Sequence, residues 1–483
     1  MAEKNRWYKD AVVYRVRDIR EDSGEECRPA TFREIFEQLD YIQSLNATVL
    51  WLPEILSREN YEEAALERGG TRAFLQLLSA VHARGMRLII DINYQSTHIS
   101  HDWFSRSCAG ETAYNNYYIW RKAGKDGTLP NNWDSLSGGK AWTYSEEKKN
   151  YYLHILDESH PDLNHENPSV RAEIRRTLQL WLDLGVDGFY EKNLSFLSKS
   201  HKLPEGIPVV KGYCGIRHYL NGARMHEFLS EIHQGFQNYD SVFIGETQLA
   251  KTKLAKEYVQ ENTNELTLLS VPQCCADTIG FRKDSLQGLP LIARKFIWSR
   301  WQNVMDKSSW SFQCPFSQNS AQLTEGRIHF PTEALKSLCC AFMFRRGTPV
   351  IVQGYEINEN ENSVNDPESL LNFYREAAYY HRTLSVVRYG GYSQIMPWSR
   401  NLFVYRRCSK VQDLLVICSF TAQAAKFKAP REYDLRKGEL LLSSHSDYIE
   451  NNGFVTQPYE TRVYLFQKRR TELRIDQPAD KKT

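Results

Sequence analysis

The sequence predicts an α/β protein: a closed (β/α)8 barrel of the TIM type, with an inserted subdomain after its third strand and a C-terminal antiparallel β domain. Three observations predict it. Short apolar runs alternate with longer amphipathic stretches over about 380 residues, the pattern of parallel strands joined by helical crossovers. Eight strand candidates suit a barrel, and no G-x-G-x-x-G follows the first of them, as an open dinucleotide-binding sheet requires. Beyond Val387 the alternation gives way to short strands of alternating polarity, which read as a separate antiparallel sheet.

The elements follow in order. AVVYRV (Ala11 to Val16) is the first strand candidate, followed by the helical pattern TFREIFEQLDYIQSL. TVLWL (Thr48 to Leu52) precedes the helical TRAFLQLLSAVHARG, and RLIIDI (Arg87 to Ile92) follows it. Residues 93–165, rich in Tyr, Trp, Asn and Gly, break the rhythm and form the predicted insertion. The rhythm resumes with SVRAEIRRTLQLWLDLG before VDGFY, and MHEFLSEIHQGFQNY before SVFIGE (Ser241 to Glu246). LTLLSV, the weaker WSFQCPF and TPVIVQG (Thr348 to Gly354) complete the eight. The predicted domains are therefore 1–92 with 166–386 for the barrel, 93–165 for the insertion, 387–468 for the β-sandwich-like module, and 469–483 for a charged tail.

Composition narrows the function classes. Lys plus Arg number 61 against 59 Asp plus Glu, so the net charge of +2 gives no footprint for nucleic acid or an anionic membrane. The N-terminus MAEKNRWYKD lacks the apolar core of a signal peptide. The longest apolar run, Ser337 to Phe344, is far shorter than the roughly 20 residues that span a bilayer. Ten scattered cysteines without a C-x-x-C read as buried thiols, and the predicted address is cytoplasmic.

Several phrases carry a family resemblance. RWYKDAVVYRV, LDYIQSLNATVLWLPEI, NNYYIWRK with PNNWDSLSGGKAW, YYLHILDESHPDLNHENPSVR, WLDLGVDGF and GTPVIVQGYEI resemble the oligo-1,6-glucosidase branch of glycoside hydrolase family 13, the α-amylase family. That branch includes dextran glucosidases and trehalose-6-phosphate hydrolases, and the resemblance runs from about Trp7 to Phe466. It implies the same barrel, insertion and C-terminal module. It also implies a retaining glycosidase, in which one carboxylate attacks the anomeric carbon and a second, about 5 Å away, protonates the leaving oxygen.

Laid over the family's motifs, that constellation is mostly absent. DINYQS keeps Asp91 but places Gln95 and Ser96 where the family has Asn and His. GFYEK has Tyr190 for the family's Arg and Lys192 for its nucleophilic Asp, with VDGF fixing the register. IGE retains the general acid as Glu246. SQN puts Gln318 and Asn319 at the His and the third acid. The loop that carries calcium ligands in many relatives reads REDSGEECRPAT, without regular acid spacing, so no metal and no cofactor is expected.

Glu191 does not substitute for the nucleophile, because adjacent strand residues face opposite sides: with Lys192 inward, Glu191 faces the helix layer. Lys192 and Glu246 end consecutive strands and are expected to form an ion pair that keeps Glu246 ionised. A Schiff-base role for Lys192 is the sharper reading and a salt-bridge lysine the blander one; nothing else in the chain suggests a carbonyl substrate. His98 and His101 lack the glutamate of a zinc protease, and His154, His160 and His165 read as structural. The aromatics of 93–165 suit either sugar stacking or a small core.

The resulting expectation is an α-glucosidase-like pseudoenzyme of carbohydrate metabolism with a sugar-binding, regulatory or partner role. The alternative is an active α-glucosidase or transglycosylase on small α-glucosides with a rearranged catalytic set. Expected partners are small α-glucosides, an active homologue or another protein, with no nucleic acid and no membrane. The glucosidase-like heavy subunits of amino-acid transporters are the precedent for the protein partner, although they carry a membrane helix.

Overall fold

The computed structural model describes residues 6–17, 19–20, 27–124, 127–207, 213–247, 257–259, 265–271, 290–305, 310–315, 331–357, 366–446 and 448–468. Gln318, Asn319, residues 21–26 of the acidic loop and the tail 469–483 lie outside the described residues.

Eight strands close into a barrel: β1 (Val13–Arg15), β2 (Val49–Leu52), β3 (Arg87–Ile92), β4 (Gly188–Glu191), β5 (Val242–Glu246), β6 (Leu268–Ser270), β7 (Ser311–Gln313) and β8 (Thr348–Val352). Their order around the barrel is sequential, and the registered pairs β2–β3, β3–β4, β4–β5, β5–β6 and β7–β8 are parallel. Each coincides with a sequence candidate, because strands buried on both faces read as continuous apolar runs. The VDGF phrase has a packing reason. A Cβ added at Gly188 would lie 2.3 Å from the Val242 carbonyl oxygen of β5, so only glycine lets β4 approach its neighbour there.

The helices show why their sequences fold as they do. α1 (Phe32–Glu37) begins with a capping box between Thr31 and Glu34. α2 (Gly70–Ala83) buries Phe74, Leu77, Leu78 and Val81, one stripe at helical spacing. α3 (Pro168–Asp183) starts at Pro168 behind Asn167, whose side chain accepts from Ser169 N, and buries Val170, Ile174, Leu178 and Trp181. α4 (Met225–Ile232) ends at His233 and buries Met225, Phe228, Leu229 and Ile232.

The chain divides into two compact units, Arg15–Leu39 with Val49–Val271, and Arg6–Tyr14 with Asp40–Thr48 and Pro272–Thr483 among its longer stretches. In the first, the insertion folds as a three-stranded antiparallel sheet of Trp120–Arg121, Asn150–Leu153 and Trp142–Ser145. Its core (Trp133, Trp142, Leu153 and Ile155) is completed by Phe196, Leu203 and Tyr219 from the segment after β4. The insertion therefore shares its core with barrel-side chain rather than enclosing one of its own.

In the second unit, α5 (Leu291–Val304) buries Lys295 and Trp298. A five-stranded antiparallel sheet follows: β9 (Gly391–Ile395), β10 (Leu402–Cys408), β11 (Gln412–Ser419), β12 (Glu439–Ser443) and β13 (Thr461–Gln467), in the order β9-β10-β11-β13-β12. Leu402 and Val404 of β10 join Leu415, Ile417 and Tyr464 in one cluster, while Phe403 faces the other way, 4.9 Å from the Trp298 ring. Among the described residues, no helix is long and apolar enough to cross a membrane, and Cys108, Cys214, Cys339, Cys340, Cys408 and Cys418 form no disulfide.

Candidate active site at the barrel mouth

Strand alternation selects which side chains enter the barrel. Asp91 of β3 stands opposite Tyr190 of β4, and Gly245 of β5 opposite Glu191. Trp51 Nε1 donates to Asp91 Oδ1 at 2.7 Å, and the Trp51 ring stacks on Tyr190 at 4.5 Å. Tyr190 OH donates to Ser270 Oγ at 2.9 Å. The Arg15 guanidinium lies 4.7 Å over the Trp51 ring. Trp51, Asp91, Tyr190, Ser270 and Arg15 thus form one connected inward-facing layer near the C-terminal ends of the strands.

Lys192 lies two residues beyond Tyr190 and so on the same face. Its N–H continues the ladder to the Ile92 carbonyl at 2.9 Å, and Asn193 then turns the chain in the left-handed region at φ +59°. Lys192 Nζ donates to Glu54 Oε1 at 2.7 Å and lies 3.6 Å from Asp91 Oδ2. The expected Lys192–Glu246 ion pair is not formed. Glu246 is buried at the end of β5, while Glu54 and Asp91 supply the carboxylates at 2.7 and 3.6 Å from the Lys192 ammonium. The ammonium turns toward the pair, where it gains a direct bond and a second charge.

Electrostatics follow this geometry. Burial pulls the Lys192 amine down, but Asp91, Glu54 and Glu246 together outweigh it and the net shift is upward, so the group is an ammonium. Burial pushes the Asp91 carboxyl up against the opposing pull of Lys192 and Arg15. Lys192 holds the Glu54 carboxyl below its ordinary value. A protonated amine has no lone pair for Schiff-base chemistry.

Glu191 turns to the helix side of β4. It is fully buried, and its Oε1 lies 2.7 Å from Nε2 of His233 at the end of α4. Gln95 is also fully buried, and its side-chain amide has no partner among the described residues. Ser96 Oγ accepts from Asn93 Nδ2 at 3.1 Å. Neither side chain bonds Asp91, Lys192 or Glu246, and Ser96 is engaged within its own turn by Asn93.

The remaining histidines have separate partners. His101 caps the helix Asp102–Cys108 by accepting from Trp103 N, and His98 bonds Ser100. His154 bonds Thr143, His160 bonds Asp157, and His165 bonds the Tyr94 carbonyl. No group of three or more metal-ligating side chains occurs among the described residues.

Two site residues escaped the sequence reading: Glu54 and Arg15. The only signal for Glu54 is a carboxylate directly after an apolar strand, in WLPEI. Arg15 is a cation inside the first apolar run, and its Nε and Nη1 are buried without partners among the described residues.

Comparison with known proteins bears on this arrangement. The family model described as alpha amylase, catalytic domain, matches residues 21–406. Among curated relatives, an oligo-1,6-glucosidase of Halalkalibacterium halodurans is 28% identical, over 95% of this chain and 99% of that one. A trehalose-6-phosphate hydrolase of Bacillus subtilis is 26% identical, over 96% of this chain and 99% of its own. Among solved structures, trehalose-6-phosphate hydrolase of Bacillus licheniformis superposes with a TM-score of 0.84 at 25% identity, covering 96% of this chain and 100% of that one.

Proposed function

The chain belongs to the alpha-amylase family, and within it we propose an α-glucosidase-like protein of carbohydrate metabolism that has lost glycoside hydrolysis and acts by binding. The observation that carries this reading is Lys192, an ammonium held 2.7 Å from Glu54 at the position the family gives to its nucleophile. Two effects follow. An ammonium cannot form the glycosyl ester, and Glu191, the adjacent carboxylate, is committed to His233. The second effect is electrostatic, because the glycosidic transition state resembles an oxocarbenium ion. The family's carboxylate would offset that charge, whereas the Lys192 ammonium, itself balanced by Glu54 and Asp91, does not. The substitution at this position therefore removes both the nucleophile and the negative charge that would favour the transition state there.

The test is incubation of the purified chain with isomaltose, maltose and trehalose 6-phosphate, measuring released glucose. The expected result is no release above that of Glu246→Gln. Turnover that Glu246→Gln abolishes overturns the reading. One observation favours an active enzyme: Glu54, with its side chain 64% exposed, brings a carboxylate to Lys192 and is a relocated acid or nucleophile in that case. Turnover lost in Glu54→Gln as well as in Glu246→Gln identifies it. The loss of the family's sugar-positioning Asn and His, replaced here by Gln95 and Ser96, favours a protein partner over a sugar, and a regulatory role for that association.

A further inference from the structure

We propose a second small-molecule site, whose lining includes none of Glu54, Asp91, Lys192 and Glu246, for a small hydroxylated anion of the sugar-phosphate class. A cavity of about 160 Å³ opens between the insertion and the segment after β4. A single water needs only about 10–15 Å³ of such space, so the cavity is far larger than one water requires.

His165, one of its lining residues, carries an unanswered acceptor. His165 is 2% exposed, and its Nε2 lies 2.8 Å from the Tyr94 carbonyl. A carbonyl only accepts, so Nε2 holds the proton and Nδ1 presents a lone pair. That Nδ1 is buried with no partner among the described residues. Burial, reinforced by Lys199 and Arg171, keeps the imidazole neutral with its pKa lowered to about 3. Nδ1 therefore asks for a hydroxyl donor and rejects an anionic oxygen.

The rim asks for the opposite. Arg121 is exposed, spends one N–H on the neighbouring Trp120 carbonyl at 2.9 Å, and forms no ion pair among the described residues. The side chains of Ser200 and His201 line the same cavity and have no hydrogen-bond partner among the described residues. The other charges are matched: Glu166 is engaged by Arg224, and Lys199 lies 2.9 Å from Asp162. The Arg121 guanidinium is the charge left over on the wall, set for a phosphate or carboxylate. Hydroxyl inside and anion at the rim define the ligand, and the site stands whether or not the barrel mouth turns over glycosides.

Calorimetric titration of the full chain with glucose 6-phosphate, glucose and inorganic phosphate tests it. Glucose 6-phosphate is expected to bind at least about tenfold more tightly than either half alone. Arg121→Ala should weaken it by about tenfold, and His165→Phe should erase the advantage over inorganic phosphate. If His165→Phe does not fold, the exposed variant His201→Ala reads the rim with the same expected loss. Lys192→Met, at the barrel mouth, should leave the affinity unchanged. The site is overturned by absence of binding at about 1 mM ligand, by unchanged affinity in both rim variants, by a loss confined to Lys192→Met, or by inorganic phosphate binding as tightly as the ester.

Discussion

Glu191 Oε1 and His233 Nε2 meet at 2.7 Å on the helix side of β4, one residue from the lysine that faces the barrel interior. His233 Nδ1 faces the Glu265 carbonyl, which only accepts, so Nδ1 carries a proton and a second proton is shared with Glu191. The pair is fully buried, with side chains 0% and 1% exposed. Removing one member strands the other, and such breaks cost about 3–5 kcal/mol. Glu191→Ala is therefore expected to lower unfolding stability by that amount in urea titration. A loss below about 1 kcal/mol removes the buried-pair interpretation.

Lys192→Met separates the carboxylates it holds. Without the cation, the Glu54 carboxyl should rise toward its ordinary value, and Asp91, whose burial Lys192 partly offsets, should rise further. Glu246 is the smallest contributor to the Lys192 shift and should move least. Carbon-detected NMR titration of the carboxyl groups reads all three. A largest shift at Glu246 would restore the ion pair across β4 and β5. The linkage has a definite sign: a depressed Glu54 stabilises above its unfolded value and loses that as pH falls through the folded one. The variant should thus show a flatter acid limb.

Three buried histidines predict a different pH window. Burial lowers His101 and His381 to about 4 and His165 to about 3. Their unfolded values lie near 6.5, so the unfolded chain binds more protons between those limits. Stability is then full above about pH 6.5 and falls as pH drops toward 4, by at most about 4 kcal/mol per pH unit for three protons. Denaturation midpoints across that range check it; a flat profile contradicts the assignment of neutral buried imidazoles.

What was legible in the sequence follows from range. RLIIDI coincides with β3 because a parallel strand buried on both faces announces itself locally. VDGF located Lys192 because Gly188 answers a contact one strand away. The partner of Lys192 was not legible. The neighbouring strand end offered Glu246, whereas Glu54 reaches it through a loop residue at φ +47°, a backbone state that no periodicity in WLPEI signals. The core shared by the insertion and residues 196–219 escaped for the same reason: Trp133 and Tyr219 are far apart in sequence, and neither lies in a periodic segment that points to the other.

Lys295 gives the last prediction. Its ammonium is fully buried on α5 and donates to the carbonyls of Met396, Ser399 and Leu402 at 3.0, 2.6 and 3.0 Å. It clamps the turn between β9 and β10 without a carboxylate partner among those bonds, and burial lowers its pKa to about 8. An unfolded lysine titrates near 10.4, so between the two values the unfolded chain holds the extra proton and stability should rise with pH. Lys295→Met leaves three carbonyls to find other donors, at a cost of about 1–3 kcal/mol at pH 7, and it removes that alkaline rise. Urea titrations of both proteins between about pH 7 and 10 separate the two contributions. An alkaline rise that persists in Lys295→Met assigns it to another group and leaves the clamp with no role in pH dependence.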